Sequence, residues 1–135
     1  MDFRLGSTRT KQLERPRLPI ALLINRLKRD LSAHTGIEFH IRATKDLNIV
    51  FGLADSETGA SGEERWIRML SVTTEWEKMR IPFNSLSLEK NRALRQGTNQ
   101  ILERDNIEAI HWAAHGRNVP IGTEGAIYLD EISFY

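Results

Sequence analysis

The chain has 135 residues, 40% of them hydrophobic and 27% charged, with 19 basic against 18 acidic side chains and no cysteine. That size supports one domain burying roughly two thirds of the surface its unfolded form exposes, and the composition excludes a disordered tail or a fibre. A net charge of +1 leaves no overall electrostatic footprint for nucleic acid or anionic lipid, and the missing cysteines exclude a disulfide framework and a thiolate metal site.

Met1 is followed by charged residues rather than a signal-peptide core, and the longest apolar run, Leu18 to Ile24, is too short to span a bilayer. A soluble chain without membrane insertion is expected, its localisation left open. Whether residues 1–17 are ordered is also left open. From Arg9 to Arg29 seven basic residues stand against Glu14 alone, but no aromatic side chain is available there for a base to stack on. This stretch reads as a solvated strand face rather than a nucleic-acid arm. Between residues 18 and 31 periodicity decides nothing: Ile20, Leu23, Ile24, Leu27 and Leu31 follow a helical stripe as well as Leu18, Ile20, Leu22 and Ile24 follow a strand.

Strict alternation begins at Gly36. In GIEFHIRA, Ile37, Phe39 and Ile41 fall on one face and Glu38, His40 and Arg42 on the other. Residues 48–55 repeat the pattern with Ile49, Phe51 and Leu53 inward; a polar, Gly- and Ser-rich connection then leads to a hairpin partner, Arg65 to Thr73. Trp76 to Phe83 forms a further strand with Trp76, Met79, Ile81 and Phe83 as apolar members, and Pro82 places its end at an edge. Ser85 to Arg104 reads as a long loop. Ile107 to Ala114 and Ala126 to Tyr135 complete the set, split by the turn-forming GRNVPIGTEG. Short strands with polar turns predict an all-β fold, an antiparallel β-sandwich or barrel in a single domain over 1–135.

Four segments in one order carry a resemblance: RDLSAHTGIEFHIRA, VTTEWEKMRIPFNSL, NIEAIHWAA and GAIYLDEISFY. Together they resemble galactose-binding-like jelly-roll domains, found in non-catalytic carbohydrate-binding modules and in the complex I intermediate-associated family. The residues that carry it are Asp30, Leu31 and Ser32; Glu75, Trp76, Ile81, Pro82 and Phe83; Ile107 and Ile110; and Asp130, Glu131 and Ile132. The resemblance implies a galactose-binding-domain-like sandwich, makes residues 18–31 a strand running into Asp30, and places Trp76 and Trp112 at positions filled by core aromatics. The early segment departs from the pattern, lacking the tryptophan that family members carry there.

What the resemblance implies about function is a module that binds a poly- or oligosaccharide on a concave sheet face; the alternative is a protein-interaction or assembly module of the complex I intermediate-associated type. Sugar recognition needs flat aromatic faces against pyranose rings, flanked by hydrogen-bonding side chains. The candidates are His40, Arg42, His111, His115 and Tyr128, turned outward by alternation, with Trp66 and Arg68, which share a parity whose face the sequence leaves unassigned. Trp66 stands between platform and core. His111 and His115 are four apart, ~13 Å along a strand, which argues against a zinc pair. Related modules often carry structural calcium between the first and last strands, which makes Asp130 and Asp2 the candidate ligands. No hydrolase nucleophile, phosphate loop, dinucleotide or metalloprotease signature occurs, so catalysis is not expected.

Overall fold

The computed structural model describes residues 20–56, 63–89, 100–115, 119–120 and 122–135. Within them the strands are β1 (Ile20–Asn25), β2 (Gly36–Ala43), β3 (Leu47–Ser56), β4 (Glu63–Val72), β5 (Glu77–Pro82), β6 (Ser87–Leu88), β7 (Ile107–His115) and β8 (Ile127–Phe134). They make two antiparallel sheets, a five-stranded one in the order β1-β7-β3-β4-β6 and a three-stranded one in the order β5-β2-β8. The expected β-sandwich is what forms. Residues 20–25 are strand rather than helix, because β7 offers β1 a free edge and pairs with it from Ile20↔His115 to Asn25↔Ile110.

The core follows from alternation. Ile37, Phe39, Ile41 and Ala43 of β2 are buried, while Glu38, His40 and Arg42 between them are partly exposed. β3 contributes Ile49, Phe51 and Leu53, and β7 contributes Ile107, Ile110 and Trp112. Three of these rings join the sheets: Phe39 lies 5.6 Å from Phe51 and 5.5 Å, edge-on at 86°, from Trp112, which is itself 5.5 Å from Phe51. Such tilted and edge-on contacts suit the ring quadrupoles and add to the burial term. Ile81 and Phe83 enter the same core, and Pro82 ends β5 at the sheet edge, where a missing donor costs nothing.

The approach to β2 is a tight turn. Asp30 Oδ1 accepts the Ser32 N–H at 2.9 Å and the Ser32 hydroxyl at 2.6 Å, and these bonds hold the exposed carboxyl below its ordinary range. The turn lets the intervening Leu31 drop into the core.

On the outer face of the five-stranded sheet the central strands carry small side chains: Gly52 and Ala54 on β3, Ala109 and Ala113 on β7. Gly52 stands opposite His111, whose ring lies over it; an added Cβ would run into that ring and come within 2.9 Å of the Trp66 carbonyl oxygen. The ring can turn, but the carbonyl belongs to the β4 backbone and cannot. Gly52→Ala is expected to destabilise the fold by about 1–3 kcal/mol, read from the urea midpoint at unchanged m-value. An unshifted midpoint would show that the sheet has room there.

Two acids point inward from the far end of the β3–β4 hairpin. Asp55 and Glu64 are direct cross-strand partners, 1% and 5% exposed. Burial first, and the charges of Glu64 and Glu103, push the Asp55 carboxyl up to about 6 against the pull of a Glu103 backbone N–H.

Candidate functional site

Outward residues of the three-stranded sheet converge on Arg42, in the central strand. Tyr128 of β8 is its direct cross-strand partner, and the Arg42 guanidinium carbon lies 4.6 Å from the Tyr128 ring centroid. Trp76, immediately before β5, flanks it on the other side at 5.5 Å. An arginine between two rings is held by cation–π attraction, and its remaining N–H groups stay available as donors. Arg42 Nε is buried without a hydrogen-bond partner.

One step along the strands, His40 stands between Lys78 and Asp130, and its Nδ1 lies 3.0 Å from Glu131 Oε2. Glu131 reaches it from an irregularity in β8, where its own φ is 51°. Glu38 follows, with Lys78 Nζ and Arg80 Nη1 at 3.5 and 3.7 Å. At the far end Tyr135 lies over the bare Cα of Gly36, and the Arg80 guanidinium carbon covers the ring at 3.8 Å. The face thus alternates rings with charged donors and acceptors.

Trp76 corrects the sequence reading. Expected in the core, it is 49% exposed and, among the described residues, the most exposed of the Phe, Trp and Tyr side chains. The strand starts later than alternation predicts, at Glu77, so Trp76 belongs to the β4–β5 connection and takes the outward parity of Lys78 and Arg80. Trp112 is buried as expected.

The other candidates separate. His111 lies on the outer face of the five-stranded sheet, so it cannot share a face with His40, Arg42 and Tyr128; the two outer faces of a sandwich point away from each other across a core ~10 Å thick. His111 is only 8% exposed, and burial first, then Arg65 and Arg26, depress its imidazole to about 4, keeping it neutral at pH 7. His115 ends β7, but its side chain lies outside the described residues. Trp66 and Arg68 take the inward parity of the five-stranded sheet, opposite Leu53 and Phe51. Trp66 packs half-buried against the core and lines a cleft of about 410 Å³ with Thr35, Phe83, Leu86 and Ile101. Arg68 is exposed and donates to Ser85 Oγ at 3.1 Å. For calcium, Asp130 Oδ1 accepts the Glu131 N–H at 2.8 Å, and Asp2 lies outside the described residues. Among the described residues no three His, Asp or Glu side chains gather as a metal cluster. A second cleft, of about 570 Å³, opens between residues 45–48, residues 71–73, and Val119, Pro120 and Thr123.

No protein-family model matches the chain, and no curated protein matches it. Solved structures do. A family 11 carbohydrate-binding module from Clostridium thermocellum, in complex with a β-1,3-1,4-mixed-linked tetrasaccharide, is similar at 22% identity and TM-score 0.63 over 87% of this chain and 66% of that one. The solution structure of CtCBM11 matches at 17% identity and TM-score 0.64 over 98% and 94%. A family 30 carbohydrate-binding module matches at 17% identity and TM-score 0.61 over 99% and 76%. The chain spans 66% and 65% of the lengths of two of the family 11 structures. At these identities the likeness is one of fold: the chain has the β-sandwich jelly roll of such modules.

The two perturbed groups make opposite contributions to stability. His111, depressed to about 4, adds stability as pH rises from about 4 to its ordinary 6.5, whereas Asp55, raised to about 6, loses it as pH rises from its ordinary 3.8 to about 6. In metal-free buffer His111→Gln is expected to lose stability relative to the parent as pH rises from about 4 to 6.5, and Asp55→Asn to gain it relative to the parent as pH rises from 3.8 to about 6. Each change is roughly 2–3 kcal/mol by urea unfolding. Parallel pH profiles for both variants and the parent would remove this account.

Proposed function

We propose that this chain is a non-catalytic carbohydrate-binding module that holds an oligo- or polysaccharide on the outer face of its three-stranded sheet. The observation that carries this reading is Trp76, half exposed and aligned across the strands with Arg42 and Tyr128. Pyranose rings present an apolar C–H face that stacks on an indole, and their hydroxyls need donors and acceptors at the rim. Arg42, held between the two rings, and His40, Glu131 and Lys78 in the next cross-strand row bring the charged and hydrogen-bonding groups. The fold shared with family 11 and family 30 modules supports the same reading, as does the tetrasaccharide complex of one of them.

Affinity electrophoresis and a glycan array test it, with a β-1,3-1,4-mixed-linked oligosaccharide as the first probe. Trp76→Ala is expected to weaken binding roughly tenfold or more, about 1.4 kcal/mol, with little change in Tm because the ring is exposed. Arg42→Ala should weaken it as well. Retention of full affinity by Trp76→Ala, or failure of every polysaccharide to retard the protein, would overturn the assignment.

The second reading, a protein-interaction module, draws on the other face, where Met69 is 54% exposed on the same parity as Ile67 and Val50. It predicts that Met69→Ser, not Trp76→Ala, abolishes association.

A further inference from the structure

The charged groups on the outer face of the three-stranded sheet are matched, with one exception. Lys78 and Arg80 share Glu38, and the His40 imidazole has Glu131. Arg42, among the described residues, has no carboxylate partner. The acids at its end of the sheet are turned elsewhere: Glu77 Oε1 accepts the Thr73 hydroxyl at 3.2 Å, and Asp130 Oδ1 accepts the Glu131 N–H at 2.8 Å. Glu75 is exposed and forms no ion pair with the arginine either.

What Arg42 does have is two rings. Its guanidinium carbon is 4.6 Å from the Tyr128 centroid and 5.5 Å from that of Trp76. Cation–π contact holds an arginine in place without using its N–H donors or cancelling its charge. A neutral sugar hydroxyl accepts one such N–H and leaves the charge uncompensated, whereas a carboxylate takes two parallel N–H bonds and neutralises it. Trp76 is the stacking surface beside it, so a pyranose ring carried on the indole brings a carboxylate at its own edge to the arginine.

We propose that this face selects an acidic polysaccharide: a uronic-acid residue stacks on Trp76, and its carboxylate is bound by the terminal nitrogens of Arg42. The proposal rests on the carbohydrate-binding reading above and names the sugar class that the same site takes. Arg42 is the residue that sets this specificity. A net charge of +1 gives the chain no general attraction for polyanions, so the preference is local to that arginine.

Titration calorimetry at pH 7 tests it with two ligands that differ in one group: β-1,3-1,4-mixed-linked glucan, and the same glucan with its C6 hydroxymethyl groups oxidised to carboxylates. The parent protein is expected to bind the oxidised form roughly tenfold or more tightly than the neutral one. Arg42→Gln should bring that ratio close to one, and Arg42→Lys, which keeps the charge but not the planar fork, should retain part of it. Should Arg42→Gln not fold, Arg42→Lys carries the test, with a reduced ratio expected and an unchanged ratio overturning the proposal. Equal or tighter binding of the neutral glucan by the parent, a preference that survives Arg42→Gln, or equally tight binding of polyglutamate, a polyanion with no sugar ring, would also overturn the uronate assignment while leaving the carbohydrate reading in place. Binding of neither glucan, nor of any other polysaccharide, is the separate result that removes both.

Discussion

The contact on which the rest of the structure depends is the packing of Phe39 against Phe51 and Trp112. Phe39 comes from the middle of the three-stranded sheet, and the other two from neighbouring strands of the five-stranded sheet. Their burial fixes the parity of β2, β3 and β7 together, because a slip of one residue in any of these strands would turn its apolar set to solvent. Everything displayed on the outside is set by that inward choice: with Phe39 in, His40 and Arg42 must be out.

The two outer faces built this way differ in kind. At the centre of the five-stranded sheet's outer side Gly52, Ala54, Ala109 and Ala113 surround a neutral His111, and all of them are buried, so little there is offered to a ligand. The three-stranded sheet presents an arginine between two rings, then an imidazole beside a carboxylate, then a lysine and an arginine around Glu38. A ligand with many hydroxyls and an apolar ring face fits the second surface. The buried carboxylates at the hairpin end belong to the interior and bear on stability rather than on either face.

The strands from Gly36 onward were legible because alternation is a local property and each segment carried enough of it. Glu38, His40 and Arg42 were placed on the correct side by that rule alone. Trp76 was not, since its place depends on where β5 begins, and a large apolar residue next to an alternating run reads as one more core member. Its outward turn is set by the pairing of Glu77 with Ile41, which sequence periodicity does not contain. Asp55 and Glu64 were passed over for a related reason: acids in and around a polar connection look solvated, and their burial comes from the segment at 100–103 closing over them.

Sequence alone determined an all-β chain, the inward set of β2, β3 and β7, and the outward parity of His40, Arg42, His111 and Tyr128. Only the tertiary structure decided which of these meet, sending His111 to one outer face and joining Arg42 to Tyr128 and Trp76 on the other. The physical reason is that the two-residue period says which way a side chain points from its own strand. Which strands become neighbours is settled by hydrogen bonding and packing between segments far apart in the chain.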